Sequence, residues 1–339
     1  MKRILASLLV VLFVLPFVVA CNPTDEPGDT TPGTTAPETE IIENIITVDI
    51  PYTYSIVDGK VRLLRYTGSE ENVVVPAKVG EYPVEIGKMA FANNQTLKSV
   101  EIPGAIDATG ELAFYNCTAL TTLKLNEGTT TVSYGSFSGC TALTGVVLPD
   151  SVWKLDMAAF KGCTALDAID LNKVTTIEDG AFNASGLKSI VIPETLQYVE
   201  EQSFMECVSL EKVEWYAKIN IREEMFAYCY ALKDVTITEG VPRIYDSCFR
   251  RCTGLETITF PSTVQRYYAH AMYGCTSLKS ITFMNPGIDR YYEMAFHFLP
   301  ALTDIYFVGT EEQWNAMDKG KNNEGLTLDT VTVHFNYGS

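Results

Sequence analysis

The sequence predicts a solenoid of about ten stacked repeats, and the regular spacing of three kinds of residue predicts it. An aromatic residue or a methionine recurs every 22 to 24 residues. A leucine follows it by six positions in nine of the ten copies, or by five at Leu187, and opens a Leu-x-x-apolar-x-apolar segment. One such short unit can bury its apolar face only against its neighbours, so we expect a repeat architecture. The anchoring residues are Phe91, Phe114, Phe137, Phe160, Phe182, Phe204, Phe226, Phe249, Met272 and Phe296.

Each repeat divides into two parts by its apolar spacing. The apolar-x-apolar tail, such as Val100-x-Ile102, has the period of two that predicts a short strand with one buried face. The Phe-x-x-Cys-x-x-Leu stretch before it has helical spacing, so we expect a short helix or 3₁₀ turn there. Prolines that follow several strands, such as Pro103 and Pro261, lie where a strand must end. Stacking gives a parallel sheet beside one continuous core.

The motif resembles that of the BspA-like leucine-rich repeat family, approximately Ile-x-x-x-x-Phe-x-x-Cys-x-x-Leu-x-x-Ile-x-Ile-Pro. The resemblance covers roughly residues 50–335. It implies a leucine-rich repeat solenoid of the α/β type, with short parallel strands, short helical turns and a cap at each end. It also implies an exported or surface protein, since several members are regarded as adhesins. In one copy the matching residues are Leu155, Phe160, Cys163, Leu166, Ile169 and Leu171.

The composition indicates a folded, acidic protein. Of 339 residues, 47% are hydrophobic and 20% are charged, which is typical of globular chains. Acidic residues exceed basic ones by 42 − 25 = 17. Nucleic-acid binding depends on Lys and Arg neutralising phosphates, so this charge argues against a nucleic-acid partner. It argues equally against peripheral binding to anionic lipid headgroups.

The first forty residues predict export and anchoring. Lys2 and Arg3 precede an apolar run that ends at Ala20, so residues 1–20 are interpreted as a signal peptide. Val18-Val19-Ala20-Cys21 resembles the lipobox of bacterial lipoproteins, in which the cysteine becomes the lipidated first residue. The alternative is an ordinary cleavage site that happens to precede a cysteine. Residues 21–40 are rich in Pro and Thr and contain no large apolar side chain, which predicts a flexible tether.

Caps are expected at both ends of the repeats, because the terminal cores would otherwise face water. Residues 41–85 predict an amino-terminal β cap with a hairpin at Asp58-Gly59. Residues 86–307 are assigned to the solenoid and residues 308–339 to a carboxy-terminal cap. The segment that ends at Trp314 resembles the family's usual terminator, and Trp314 would cover the last repeat. Val331-x-Val333-x-Phe335 adds a final strand.

Seven cysteines occupy one position of their repeats. They could form disulfides or bind a ligand, as an oxidising location favours. Alternatively they form a row of small buried residues whose thiols donate weakly to backbone carbonyls. Asn94 and Ser185 take this position in other copies, which favours the second interpretation, while Cys248 lies outside the row. No zinc-type spacing occurs, so we predict no metal site and no cofactor. The seven are Cys117, Cys140, Cys163, Cys207, Cys229, Cys252 and Cys275.

No motif for catalysis is evident, and we predict that the protein is not an enzyme. His270, His297 and His334 are scattered, and none lies in a nucleophile motif. The sequence contains no Gly-rich phosphate loop, nucleophile elbow or dinucleotide fingerprint.

Three consecutive repeats carry Arg-x-Tyr just before the anchoring residue. The middle residue of each lies at a core position, so its two neighbours should point outward and align in two rows. Arg and Tyr are enriched at interface hot spots, and aromatic faces also stack on sugars and guanidinium groups. The alternative is that these side chains only stack on one another to shield one flank. We call the set the Arg/Tyr ladder; it comprises Arg243, Tyr245, Arg266, Tyr268, Arg290 and Tyr292.

The working hypothesis is a membrane-anchored lipoprotein at the cell surface whose solenoid binds a host matrix protein or a bacterial surface protein. One alternative is an envelope lipoprotein that binds carbohydrate and captures polysaccharide. A second is a structural envelope protein that associates with itself. In each case the lipid anchor is the only expected contact with a membrane. The outward face of the sheet is predicted to carry Glu101, Lys124, Asp170, Glu214, Thr236, Thr259, Thr282 and Tyr306.

Overall fold

The computed structural model describes residues 50–323, residue 326 and residues 330–338. They belong to one compact unit, Val48–Ser339. The predicted signal peptide, Cys21, the predicted tether and residues 41–49 of the predicted cap lie outside the described residues. The division of the chain at residues 20, 40, 85 and 307 therefore stays a prediction.

The described chain begins with a small sheet in the strand order β1-β2-β5-β4. The first two strands pair antiparallel around Asp58 and Gly59, which both have positive φ. The predicted hairpin is thereby confirmed, and its left-handed turn suits an Asp-Gly pair. The third strand belongs to a different sheet. The first five strands are β1 (Tyr52–Val57), β2 (Lys60–Tyr66), β3 (Asn72–Val74), β4 (Lys78–Val79) and β5 (Tyr82–Ile86).

Most repeats contribute one strand of three or four residues and one strand of two residues. In chain order the remaining strands are β6 (Ser99–Ile102), β7 (Thr122–Leu125), β8 (Thr131–Val132), β9 (Gly145–Val147), β10 (Lys154–Leu155), β11 (Thr176–Ile177), β12 (Ser189–Ile192), β13 (Tyr198–Val199), β14 (Lys212–Trp215), β15 (Asp234–Ile237), β16 (Arg243–Ile244), β17 (Thr257–Phe260), β18 (Arg266–Tyr267), β19 (Ser280–Phe283), β20 (Arg290–Tyr291), β21 (Asp304–Phe307) and β22 (Thr332–His334).

The longer strands form parallel sheets in the orders β3-β6-β7-β9, β12-β14-β15 and β17-β19-β21-β22. Their register is one repeat per step, so that Val100 lies opposite Leu123. Apolar residues at alternate positions face the core, as the period of two predicted. Between β9 and β12, residues 167–171 form no strand, so this repeat lacks the strand of three or four residues.

The interruption corrects one prediction, because Asp170 was expected on the outward face of a strand. The Asp170 carboxylate instead accepts hydrogen bonds from the backbone and side-chain nitrogens of Asn172, at 3.0 and 2.7 Å. A turn held by hydrogen bonds to an aspartate side chain competes with the backbone hydrogen bonds between neighbouring strands. The gap in the sheet contains a cavity of about 520 Å³.

The two-residue strands form separate parallel sheets in the orders β13-β11-β10-β8 and β16-β18-β20. We call these the short-strand sheets. An isolated parallel bridge joins Ile221 to Ile244, which extends the second of these sheets by one repeat.

The segment around each anchoring aromatic, which we call the turn arc, is not helical. The prediction of a helix or 3₁₀ turn was wrong: the described arcs consist of hydrogen-bonded turns. Positions two before and two after the anchoring residue have positive φ, as at Met89 (59°) and Asn93 (60°) around Phe91. A left-handed residue interrupts helical geometry, so alternate N–H groups point to the next repeat. The Phe91 N–H thus donates to Ala113 O at 2.7 Å, while the Ala92 N–H donates to Met89 O at 3.1 Å.

The core is a set of columns, each with one residue per repeat. From Phe91 to Phe249, neighbouring anchoring rings stack with centroids 4.6 to 5.7 Å apart. The seven cysteines of the predicted row are buried, and each Sγ lies 3.1 or 3.2 Å from the carbonyl of a phenylalanine about 26 residues earlier. The predicted row of thiols donating to carbonyls is confirmed.

The carboxy-terminal residues cover the last repeat. Helix α1 (Glu311–Ala316) is the one α-helix in the described ranges, and Thr310 caps it with a reciprocal bond to Gln313. Trp314 of α1 is buried, with its ring 5.3 Å from Phe307. β22 pairs in parallel with β21 and supplies the predicted final strand.

Candidate functional site

The Arg/Tyr ladder lies on the second short-strand sheet. The three arginines align in register from β16 through β18 to β20, as do Ile244, Tyr267 and Tyr291 between the rows. These middle residues are fully buried. Because side chains alternate along a strand, the arginine before each of them points outward. The predicted alignment of the ladder is confirmed.

The tyrosine row is a continuous stack of rings. Tyr245 and Tyr268 have centroids 4.6 Å apart and planes 3° apart, and Tyr268 and Tyr292 are 4.5 Å and 9° apart. The guanidinium of Arg222 lies 5.5 Å from the Tyr245 centroid, and that of Arg290 lies 4.9 Å from the Tyr292 centroid. A cation therefore contacts each end of the stack, an arrangement that the ring quadrupole favours.

Arg222 is a member of this array that the sequence analysis missed. It lies four residues before Phe226, the position that Tyr245 holds before Phe249. A search of that position for cations, and not only for Arg-x-Tyr, would have found it.

The arginine row contains both paired and unpaired cations. Arg266 Nε lies 2.6 Å from Asp289 Oδ2, and Arg290 Nε lies 3.8 Å from Asp318 Oδ2. The Asp289 carboxylate, followed by the Tyr268 hydroxyl, raises the pKa of Arg266. Among the described residues the side chain of Arg243 has no ion pair. Arg243 is thus the ladder cation most available to an external carboxylate.

The row that contains the tyrosines carries carboxylates in the preceding repeats. Lys154 Nζ bridges Asp156 and Glu178, each at 2.7 Å, and these hydrogen bonds raise the pKa of Lys154. Tyr198 donates its hydroxyl proton to Glu200. The flank therefore changes from acidic to Arg/Tyr-rich at Arg222, which confines the aromatic surface to the carboxy-terminal half.

Below the ladder, two buried tyrosine hydroxyls have no hydrogen-bond partner within the described part of the chain. They belong to Tyr267 and Tyr291, whose rings stack 5.3 Å apart. Burial raises the pKa of both phenols. The sequence predicted these positions as core, but it could not indicate that their hydroxyls would remain unpaired.

The remaining predicted outward-face residues lie on the longer strands and are exposed or half-buried. Their charges pair across repeats: Lys124 Nζ lies 2.8 Å from Glu101 Oε1. Tyr306 stacks on His334, whose Nε2 lies 2.7 Å from Asp304 Oδ1. This hydrogen bond lowers the pKa of Asp304. Within the described ranges, no cluster of His, Cys, Asp and Glu has an arrangement suited to a metal ion.

Comparison of the sequence with protein-family profiles identifies the family of the repeats. The profile of the BspA type leucine-rich repeat region matches residues 84–214 and 219–318, with six copies. The chain belongs to the BspA-type leucine-rich repeat family. Solenoids of this family are generally non-enzymatic and are typically cell-surface proteins, and the family suggests a role in protein interaction or adhesion.

One solved structure with a TM-score above 0.5 shows the same fold. A leucine-rich repeat protein from Bacteroides ovatus is 23% identical, with a TM-score of 0.57 over 86% of this chain and 79% of that one. A leucine rich cell surface protein from Faecalibacterium prausnitzii is 23% identical, with a TM-score of 0.43 over 80% and 97%. The pneumococcal vaccine antigen PcpA is 16% identical, with a TM-score of 0.46 over 84% and 91%. No curated protein matches the chain.

One further finding concerns membranes. No helix among residues 50–323, 326 and 330–338 is both long enough and apolar enough to cross a bilayer.

Proposed function

We propose that this BspA-type protein is a non-catalytic surface lipoprotein that binds a protein partner through the Arg/Tyr ladder. The observation that carries the proposal is the uninterrupted array from Arg222 through three stacked tyrosines to Arg290. It spans four repeats on a backbone held by parallel hydrogen bonds.

The array suits recognition because its side chains are fixed before a partner arrives. Tyr and Arg contribute disproportionately to binding energy at protein interfaces. Stacking holds the rings in place, so little side-chain entropy remains to be lost on association. The uncommitted Arg243 supplies a donor for a carboxylate of the partner. The carboxylates of Glu178 and Glu200, which continue the tyrosine row into the preceding repeats, would repel an acidic partner placed out of register.

Anchoring by Cys21 is a part of the proposal that rests on the sequence alone. Acyl chains on Cys21 would hold the protein to a membrane by burying methylene groups, at about 0.8 kcal/mol each. The tether of residues 21–40 would hold the repeats away from the bilayer. We expect the purified native protein to carry acyl chains detectable by mass spectrometry, and a Cys21→Ala variant to lack them and to leave the membrane fraction.

The ladder is tested by binding to intact host matrix proteins and to bacterial surface proteins. Protease shaving of intact cells should first release the repeats, which establishes surface display. Replacing Arg243, Arg266 and Arg290 together by Glu should then abolish capture of any partner found with the unmodified protein, because the charge of the row is reversed.

The matched control replaces three exposed lysines outside the ladder, Lys124, Lys188 and Lys279, by Glu, which gives the same change in net charge. This control should retain the partner. Equal capture by both triple variants would refute the ladder as the binding surface. A chain that resists shaving on intact cells would refute surface display.

Sedimentation separates the alternative of self-association. We expect a monomer whose sedimentation coefficient does not change with concentration, and a concentration-dependent dimer would favour a structural envelope protein instead.

A further inference from the structure

A small cleft lies on the turn arcs of the last repeats and does not include the Arg/Tyr ladder. Its volume is about 250 Å³. Three of the seven lining residues are aromatic, and the polar side-chain groups are one guanidinium, two threonine hydroxyls and two phenol hydroxyls. The lining residues are Tyr230, Arg251, Thr253, Tyr273, Gly274, Thr276 and Phe298.

The cleft exists because Gly274 has no side chain. Arg251 and Phe298 hold the same position in the repeats on either side, two residues after the anchoring residue. A Cβ at Gly274 would lie 3.3 Å from Arg251 Cγ and 3.9 Å from Phe298 Cδ1. All three residues have positive φ, so the backbone continues regularly past the opening. The gap is therefore one missing side chain between two neighbouring repeats that both carry a large side chain at this position.

The aromatic walls are fixed in position and open to solvent. The Tyr273 ring lies 5.5 Å from the guanidinium of Arg250 and stacks on His297 at 5.7 Å. The Phe298 side chain is 55% exposed and Tyr230 is 45% exposed. Rings with free faces that are rigidly held present flat apolar surfaces to a ligand.

The polar groups of the cleft favour an anion. Arg251 is exposed, and its side chain has no ion pair or hydrogen bond to any residue that the structure describes. The described lining contains no carboxylate. Most lysines of this acidic chain have acidic partners, as Lys279 has Glu256 at 2.7 Å. Arg251 and Arg243 differ from these lysines, because neither guanidinium has an ion pair among the described residues.

We propose that this cleft binds an acidic sugar, a pyranose that carries a carboxylate. The apolar C–H face of the ring would pack on Phe298 or Tyr230, and the Thr253 and Thr276 hydroxyls would bond its hydroxyl groups. Arg251 would receive the carboxylate in a paired, charge-assisted contact. The volume suits a single ring, since pockets for drug-sized ligands begin at about 300 Å³. The site does not depend on protein binding by the ladder.

The proposal is tested by ligand-observed NMR and calorimetry on the full-length chain in detergent. D-Glucuronate is the probe, with D-glucose, acetate and the peptide Gly-Glu-Phe as comparisons. We expect saturable binding of D-glucuronate, and binding of D-glucose that is about tenfold weaker, because the neutral sugar leaves the arginine unpaired. Acetate alone should not bind measurably, because it lacks the ring.

Three variants locate the site. Arg251→Gln should weaken D-glucuronate about tenfold or more and leave D-glucose unchanged. Phe298→Ala should weaken both sugars. Gly274→Tyr should abolish the binding of both sugars, because the new side chain fills the cleft. The backbone accepts a tyrosine there, since Tyr228 holds the equivalent position of an earlier repeat with positive φ. The control is Tyr216→Ala, which removes an exposed ring outside the cleft and should change neither affinity.

Thermal unfolding of each variant separates lost binding from lost folding. Any of three results would overturn the assignment: no saturation by D-glucuronate, equal affinity for acetate, or affinities unchanged in both Arg251→Gln and Gly274→Tyr. Tighter binding of Gly-Glu-Phe at the same residues would make the cleft a peptide site instead. The triple Arg-to-Glu ladder variant should still bind D-glucuronate, so the two proposals can fail separately.

Discussion

Each cysteine of the repeated row is surrounded by core residues and donates to a phenylalanine carbonyl. Burial raises the pKa of the Cys207 thiol to about 11, and the hydrogen bond with Ser185 only partly offsets this. Ser185 holds the same position one repeat earlier, so the site accepts a hydroxyl as well as a thiol. The position selects a small side chain with a weak donor, and pairing between cysteines is not needed.

The raised thiol pKa predicts a loss of stability at alkaline pH. The folded chain holds the Cys207 proton more tightly than the unfolded chain does. The protonated Cys207 thiol therefore adds its full contribution to the unfolding free energy below the unfolded-state pKa of about 8.5. This contribution declines as the pH rises toward the folded-state pKa of about 11. We expect Cys207→Ser to make the fall in unfolding free energy shallower by about 1 kcal/mol per pH unit over this range. Denaturant titrations under reducing conditions measure it, and parallel pH profiles would contradict it.

The unpaired hydroxyls of Tyr267 and Tyr291 predict a stabilising substitution. A buried polar group without a partner costs about 1–3 kcal/mol, and removing it at constant shape recovers part of that cost. Tyr267→Phe should therefore raise the unfolding free energy by about 1 kcal/mol. The control is Tyr216→Phe, which removes the hydroxyl of an exposed tyrosine and should change the unfolding free energy little. A Tyr267→Phe variant less stable than the parent would show that the hydroxyl has a partner in solution.

At the level of single elements, the turn arcs show why a helical pattern can form a different structure. The Phe-x-x-Cys-x-x-Leu spacing places three apolar side chains on one side, which a helix or a chain of turns can both satisfy. Parallel stacking requires backbone N–H groups directed at the next repeat, whereas a helix uses them internally. Left-handed residues such as Met89 and Asn93 provide that direction, so the stacked arrangement replaces the helix.

Helix α1 is the element that closes the carboxy-terminal core. Trp314 covers Phe307 and Phe283, with centroids 5.3 and 6.2 Å away. Trp314→Ala should cost about 3–5 kcal/mol, because it leaves a cavity and exposes the last repeat. Hydrogen exchange should show the loss of protection concentrated in β21 and β22. The control is Glu312→Ala on the exposed side of α1, and a uniform loss of protection along all repeats would argue against a local cap.

For the molecule as a whole, stability is shared between neighbouring repeats. Phe182 stacks between Phe160 and Phe204 at 5.5 and 5.4 Å, near the middle of the column. Phe182→Ala should cost about 3–5 kcal/mol. Since each repeat contacts only its neighbours, the variant should also separate unfolding into two transitions.

Calorimetry and hydrogen exchange would show whether the halves on either side of residue 182 unfold independently. Phe298→Ala, which removes a ring that is 55% exposed, serves as the control and should preserve a single transition. A single transition in Phe182→Ala would mean that coupling extends beyond nearest neighbours.

The period of the sequence was sufficient to predict the solenoid, the core columns, the thiol row and the alignment of the ladder. Each follows from stacking identical units, which places residues one repeat apart side by side. The missing strand near Asp170 could not be predicted. Its absence depends on the local hydrogen bonds between Asp170 and Asn172, which compete with backbone pairing between neighbouring strands. The membership of Arg222 in this array was not predicted, because Arg222 lies outside the Arg-x-Tyr pattern.

The amino-acid sequence by itself therefore determined the repeat, the residues of the core and the family. The pairing state of each polar group depended instead on folded geometry: Arg266 with Asp289, Arg243 without an ion pair among the described residues, and the opening beside Gly274. Periodicity specifies which positions become neighbours, but ion pairs and clefts arise from side-chain directions and distances of a few ångströms. Those distances are set when the repeats pack, and no spacing along the sequence encodes them.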